Sequence, residues 1–579
     1  MRVSKGMFRS LSWFAVLLIF VLHLAGCAGE GGNSNVGSDV ASNTAGDTGT
    51  DEAGTEPGAP SEFVPTGFPQ VVVVSGTNYE MGVQYGEQAA AAIARNATIF
   101  KSKLYDAYGE DKVTKDMEVW DYYLKRYDPQ LEDWIKGISA GCKKKGHEVS
   151  YLDLVLLMVY PTELWSRPLA PYPAETGVSA ARFSATAESE DVPSYHSCNT
   201  FAATGAATPD GKPIHGITSM QGPEMMDGIV LIAFPSEGAS FVSTTYAGRV
   251  NANAAMNSNG IAWTMTAILG DSPAWGLTEV YFHWLAQTPA SIDEALDYIR
   301  STPAGGVAGG FILSDASGNI RVHETISVAE PSGSTSTHSH LRALGEADET
   351  GPWVVQTNHL VDPSLQAYNP FWLSFIGTYT RYDTVSQYLK EAAPGTVDFE
   401  FAKSMFASSD WYDAVSQTWH PNEPGAPGIS NDHTSVAQSI FFPADRVVYL
   451  QTGTPSGNGM PAYATGEYVR IKLAGDPKSV TYEADADALA LYWEAADLFE
   501  HELNAEPEYL TPSVISLVQD ALDEAMLAYS AGMEKSASAN LSKDDDALPA
   551  LWASALTYFA KAQLEAQMAK TTLLRARGP

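Results

Sequence analysis

Cysteine is scarce in this chain: Cys27, Cys142 and Cys198 are the only three in 579 residues. That excludes a disulfide scaffold, and no clustered Cys/His spacing points to structural zinc. Positive charge is scarce as well, with 34 Lys and Arg against 69 Asp and Glu. A net charge of −35 repels phosphate backbones and anionic lipid, which excludes nucleic acid as a partner. What is present suffices for a large core. Hydrophobic residues make up 45% and charged residues only 18%, so burial can offset the entropy of ordering most of the chain. At roughly 100 to 200 residues per domain, the length accommodates several modest domains or one large enzyme with appendages.

Arg2, Lys5 and Arg9 form a basic flank, followed by an apolar run from Trp13 to Leu24. This is the pattern of an export signal rather than of a fold. Its end, Leu24-Ala25-Gly26-Cys27, resembles the lipobox of bacterial lipoproteins. The resemblance implies cleavage before Cys27, acylation of that thiol, and attachment to the cell envelope on its periplasmic or extracellular face. A plain secretory signal with an incidental cysteine is the alternative. Ala28 is not the aspartate associated with inner-membrane retention, so outer-membrane attachment is the expectation. Residues 28 to about 62 are Gly, Ser, Asn, Thr, Ala and acid, which reads as a flexible tether. The expected division is a signal peptide over 1–26 and an acidic tether over 27–65.

The next segment, 66–197, opens with a β-branched strand at Val71 to Val74 and continues with helical periodicity to about Tyr160. From Cys198 the texture changes to short apolar runs broken by Gly, Asn, Asp-Gly and Pro, such as Ile229 to Phe234 and Phe241 to Tyr246. These read as antiparallel strands and continue, with a helix capped by Ser291, through 198–475. The remainder, 476–579, reads as three helices, with Pro512 suited to the first turn of the second.

Several motifs compete for the chemistry. Gly137-Ile-Ser139-Ala-Gly141 matches the G-x-S-x-G nucleophile elbow, yet Leu131 to Gly141 reads as continuous helix, whereas an elbow needs a strand ending at the serine. His338 and His340 lie in a Ser/Thr-rich stretch that reads as a polar loop, and His323 beside Glu324 reads as a structural histidine at a strand end. No ligand set at metal spacing emerges. Cys198 stands where the helical half gives way to the β half. If the Ser197–Cys198 bond is cut, one residue supplies both a thiol nucleophile and an α-amine base whose pKa lies near 8. A buried strand cysteine is the competing reading.

Further residues favour the first. Cys198-Asn-Thr-Phe-Ala-Ala-Thr-Gly205 and Pro209-Asp-Gly-Lys-Pro-Ile-His-Gly216 resemble the start of the mature β subunit in the acyl-coenzyme A:6-aminopenicillanate acyltransferase and carcinine hydrolase family. Other segments resemble it in order: Gly76 to Gly82 with Gly86, Gly137 to Gly141, Met256 to Ala262, Leu313 to Gly318, Thr357-Asn358-His359, Thr378 to Tyr382, and His433-Thr-Ser435 leading to Gly453-Thr-Pro455. The resemblance implies an α+β, four-layer αββα fold of the N-terminal nucleophile hydrolases, here with an added C-terminal helical region. It implies self-cleavage before Cys198, after which the α and β segments stay packed together. Cys198 would be nucleophile and amine base. Asn358 would position that amine or polarise the carbonyl, and Arg381 would buttress the site. Asn251, Asn253 and Asn257 are candidate oxyanion donors, with His359 in support.

One departure stands out. The family's Gly-Arg-Asn-x-Asp is here Gly216-Ile-Thr-Ser-Met220, and a thioether cannot replace a carboxylate; Glu224 and Asp227 are the nearby acids. The expectation is a lipid-anchored N-terminal cysteine hydrolase or acyltransferase acting on small amides or peptides, with no cofactor and no metal. A phospholipase B-like ester hydrolase and a catalytically impaired binding lipoprotein are the alternatives.

Overall fold

The computed structural model describes residues 70–577, apart from 160–175, 179–196, 221–227, 251–253, 269–274, 278–280, 303–307, 330–334, 347–350, 370–376, 409, 422–434, 452–467, 474–475, 506 and 546. The export signal, Cys27 and the tether therefore lie outside the described residues, as do Asn251, Asn253, Glu224 and Asp227.

Strand β1 (Gln70–Gly76) leads through a Thr77/Glu80 capping box into α1 (Asn78–Tyr108), followed by α2 (Glu110–Tyr127), α3 (Pro129–Lys144) and α4 (Tyr151–Val159). The β half begins with β2 (Ser197–Gly205), β3 (Gly211–Met220), β4 (Gly228–Pro235), β5 (Phe241–Tyr246), β6 (Ala254–Asn257) and β7 (Ala262–Ile268). Two helices follow, α5 (Tyr281–Gln287) and α6 (Ile292–Ser301), then β8 (Ala308–Ser314), β9 (Ile320–Ala329), β10 (Thr335–Ala343) and β11 (Trp353–Gln356). After α7 (Thr378–Glu391) and α8 (Phe399–Ala407) come a small hairpin, β12 (Trp411–Asp413) with β13 (Thr418–His420), and the strands β14 (Ser435–Phe442), β15 (Val447–Gln451) and β16 (Tyr468–Lys472). The chain closes with α9 (Pro477–Ala505), α10 (Pro512–Leu541) and α11 (Leu548–Arg577).

Two sheets form. One has eight strands in the order β1-β4-β5-β6-β7-β8-β9-β10, and the other has six, β11-β2-β3-β14-β15-β16. Only the β1–β4 pair among them is parallel. Strand alternation shows why neither sheet reads as simply amphipathic. Val72 and Val74 pack with the helices, while Val71 and Val73 face the second sheet, so β1 is apolar on both sides. The outer face of the larger sheet carries α1 to α6, and the outer face of the smaller carries α7 and α8 through Phe201, Ile214, Val355, Val385 and Phe406. Between the sheets lie Ala202, Ile312, Val322 and Val354 toward one end and Cys198, Ile217, Val242, Met256 and Phe441 toward the other. The result is the four-layer αββα, α+β architecture.

The C-terminal helices serve the sandwich directly. β1 and β16 are edge strands, and α11 packs on both while α9 packs on β16. Open sheet edges invite pairing with other chains, and this bundle covers two of them. No helix among the described residues is long and apolar enough to cross a membrane.

One reading of the sequence changes, and another gains its physical cause. His338 and His340 lie not in a loop but in β10, the edge strand of the larger sheet, where a half-exposed position tolerates polar residues. The Gly137/Gly141 pair has a packing purpose. An added Cβ at Gly137 would sit 2.2 Å from the carbonyl oxygen of Tyr79, and one at Gly82 would sit 2.3 Å from that of Trp134. Gly86 and Gly141 repeat the same close approach one turn on, so four glycines let α1 and α3 touch backbone to backbone. Ser139 donates its hydroxyl to the Val149 carbonyl at 2.6 Å.

Candidate active site

Cys198 is the second residue of β2 and is buried, 1% exposed, in the cluster between the sheets. Its neighbour across the ladder on one side is Ser219 of β3. On the other side β11 ends at Gln356, which pairs with Thr200. Two residues further on, that register sets Asn358 opposite Cys198, where a side chain takes over from the ladder: the Cys198 N–H donates to Asn358 Oδ1 at 2.8 Å. The carboxamide is held in one sense, because its Nδ2 donates to the Ala267 carbonyl at 2.8 Å.

Alternation along β2 turns Asn199 the other way, toward α7. There Arg381, fully buried, donates through Nη1 to the Cys198 carbonyl at 2.9 Å and to Asn199 Oδ1 at 2.6 Å, and through Nη2 to Asn358 Oδ1 at 3.0 Å. Burial pulls the Arg381 guanidinium down to about 10, against the effect of the Cys198 thiolate, so it stays charged at neutral pH. One guanidinium thus fixes the residue after the proposed cut, the residue following it, and the amide that holds its nitrogen. Sequence reasoning missed Asn199; only its strand position next to Cys198 hinted that it faces a different layer.

The segment carrying Asn358 is itself anchored. Thr357 Oγ1 donates to the Thr378 carbonyl at 3.0 Å, tying it to the first turn of α7, from which Arg381 projects. Glu324, wholly buried, accepts the N–H groups of Val361 at 2.8 Å and Asp362 at 2.9 Å. Gln356 Nε2 donates to the carbonyls of Thr357 and His359 at 3.1 and 2.7 Å. His359 Nδ1 lies 3.1 Å from the hydroxyls of both Thr357 and Thr378. Burial, with Arg381 and Arg342 adding to it, pulls the imidazole down to about 3, so His359 is neutral and braces the turn.

Asn257 is not brought to this cluster as an oxyanion donor. Its Nδ2 donates to the Pro289 carbonyl at 3.0 Å, and its Oδ1 accepts the N–H groups of Asn259 and Ile261 at 3.1 Å each, so the whole amide serves the β6–β7 turn. Tyr246, at the end of β5, is close enough to feel both Arg249 and Cys198; burial pushes its phenol above the ordinary range and keeps it a neutral donor. Met220 ends β3 paired with Ser197. Cys142 and Cys198 form no disulfide: Cys142 belongs to the helical layer, where burial pushes its thiol up to about 11. Among the described residues no group of three or more His, Cys, Asp or Glu is placed to hold a metal ion.

Chemically, the cluster holds a nitrogen next to a thiol-bearing carbon with an acceptor of fixed orientation, and places a non-titrating cation against the adjoining carbonyl.

Residues 221–456 match the family described as acyl-coenzyme A:6-aminopenicillanic acid acyl-transferase. The matched stretch includes Asn358, His359 and Arg381 and begins after Cys198 and Asn199. An uncharacterized protein of Archaeoglobus fulgidus is 26% identical over 212 residues, 34% of this chain and 32% of that relative, so the likeness spans about a third of its length. Among solved structures, an N-acylethanolamine-hydrolyzing acid amidase ortholog of Caenorhabditis elegans is similar over 43% of this chain and 93% of its own, at 14% identity and a TM-score of 0.28. A mutant conjugated bile acid hydrolase of Clostridium perfringens is similar over 48% and 92%, at 10% identity and a TM-score of 0.26.

Proposed function

We propose that this chain is a self-processing hydrolase or acyltransferase of carbon–nitrogen bonds whose nucleophile is Cys198. The observation that carries the reading is the 2.8 Å hydrogen bond from the Cys198 nitrogen to Asn358 Oδ1, with Arg381 bonded to both residues. In processing, the thiol adds to the Ser197 carbonyl, the C–N bond breaks with the proton passing to nitrogen, and water hydrolyses the resulting thioester. The freed amine inherits the Asn358 acceptor. It then takes the thiol proton as sulfur attacks a substrate amide and returns it to the leaving amine; the acyl group passes to water or to a second amine.

Small amides and short peptides fit a nucleophile enclosed between two sheets better than a folded protein does. We also propose that Cys27 is the lipid-bearing residue, with the body exported and held at the envelope by its tether. Mass spectrometry of purified protein tests processing: two chains parting before Cys198 are expected, and a Cys198→Ala protein remains whole. A Cys198→Ala protein cut at the same bond sinks the mechanism.

A further inference from the structure

On the opposite side of the larger sheet from Cys198, the C-terminal end of α6 and the strands β9 and β10 line a solvent-open pocket of about 400 Å³, at the small end of ligand-sized sites. Val322 on β9 faces the second sheet, so His323 and Thr325 face the helices, and His323 packs beside Phe311 of the helical cluster. Ligand sites are usually lined by apolar groups. Among the described residues this one is lined mostly by hydroxyls, with Ile299, one arginine and one histidine, and no carboxylate.

Three features single it out. His323 is 3% exposed, its Nδ1 is enclosed without a hydrogen-bond partner, and its ring makes no hydrogen bond to the described residues. A buried polar group left without a partner is costly, so such a group in a pocket wall marks a missing partner. Arg300 lines the same cavity and has no carboxylate partner among the described residues, in a chain with twice as many acids as bases. The hydroxyls of Thr325 and Ser339, which face each other across the β9–β10 ladder, make no hydrogen bond to the described residues either. Ser301 and Thr302 donate to the Tyr298 carbonyl at 3.1 and 2.8 Å, which leaves their lone pairs for a ligand hydroxyl or water.

We propose that this cavity is a second ligand site that binds a small oxyanion, a carboxylate or a phosphate group, through Arg300, His323 and the hydroxyls of Thr325 and Ser339. Burial and the Arg300 charge pull His323 down to about 4, so at neutral pH it offers one N–H to the anion. The negative end of the α6 dipole faces the cavity, which opposes an anion. Binding therefore depends on Arg300, whose charge is the one cation in the wall among the described residues.

Isothermal titration of the full-length protein with inorganic phosphate, and separately with acetate, tests the site at low ionic strength. Saturable binding of at least one is expected, and which one binds tells a phosphoryl from a carboxyl ligand. Arg300→Gln, an exposed position with no bond to lose among the described residues, should weaken binding ~10-fold or more, as loss of a charge-assisted bond implies. Cys198→Ala should bind as the parent does, which separates this site from the proposed catalytic centre. No saturable heat from either anion at ~10 mM, far above the concentrations at which specific sites fill, overturns the proposal. So does unchanged affinity in Arg300→Gln.

Discussion

The Asn358 carboxamide presents its oxygen, not its nitrogen, to Cys198: Oδ1 takes the Cys198 N–H at 2.8 Å while Nδ2 is held by the Ala267 carbonyl at 2.8 Å. Of the two roles open to this residue, positioning the amine agrees with that orientation, and donation to an oxyanion requires Nδ2 to leave Ala267. Asn358→Asp keeps an acceptor in place, now charged and beside Arg381, whereas Asn358→Ala removes it. Processing at Ser197–Cys198 should slow ~100-fold or more in the alanine variant and far less in the aspartate variant. Gel analysis of freshly expressed protein reads both rates. Equal loss in the two variants would assign Asn358 the donor role instead.

Asn199 is expected to matter almost as much as the residues it adjoins. It supplies one of the neutral oxygens around a buried guanidinium, and hydrogen bonds to charged groups contribute about 1.5 to 3 kcal/mol each. Asn199→Ala should lower unfolding stability by about that amount and reduce turnover ~10-fold, while Asn199→Asp, which offers Arg381 a carboxylate, restores most of the stability. Denaturant melts of both variants on the Cys198→Ala background isolate the structural effect. An alanine variant as stable as its parent removes Asn199 from the cluster.

The grouping of Cys198, Asn358 and Arg381 was legible in sequence because these candidate residues sit in short ordered motifs: Cys198 at a change of texture, Thr357-Asn358-His359 after a strand, Arg381 in the first turn of a helix. What escaped depends on long-range geometry. Asn199 meets Arg381 across 182 residues, and only the alternation of β2 decides that it faces α7. Glu324 reads as a strand end next to a histidine, yet it lies within β9 and caps a turn 37 and 38 residues away. Asn257 was a plausible donor by position, but an Asn two residues before Asn259 and four before Ile261 satisfies its own turn first. The glycines of the false nucleophile elbow were visible as spacing. Their cause, a close crossing of α1 and α3, was not.

That crossing yields a paired test. Gly137→Ala places a methyl 2.2 Å from the Tyr79 carbonyl oxygen, and neither helix backbone can yield locally. Overpacking of this kind costs about 1 to 3 kcal/mol, and here the upper end is expected. Ser139→Ala loses only the hydroxyl bond to Val149, about 1 kcal/mol, and should leave both processing and turnover unchanged. Loss of activity in Ser139→Ala, with the fold intact by circular dichroism, would restore the serine as a nucleophile.

Stability should fall on the acid side of neutrality because of histidines buried without charge. His215, wholly buried between the sheets, has Nδ1 2.8 Å from Ser314 Oγ and Nε2 2.8 Å from Thr264 Oγ1. Thr200 donates to the Gly216 carbonyl, so Thr264 must donate to Thr200 and accept from His215 Nε2–H, which leaves Nδ1 as the acceptor from Ser314. Every position around the ring suits the neutral form, and burial pulls His215 from 6.5 down to about 3. A folded-state value below the unfolded one means that the unfolded chain binds the extra proton between pH 6.5 and 3. The contribution is complete above 6.5 and is lost steadily as pH falls, at about 1.4 kcal/mol per pH unit for each such histidine. His359, pulled down to about 3, adds the same slope. Unfolding of Cys198→Ala protein, measured between pH 6 and 4.5 to stay above most carboxylates, should show this fall, and His215→Asn should flatten it by about 1.4 kcal/mol per unit. An unaltered slope in His215→Asn would mean that His215 already carries a proton in the folded protein.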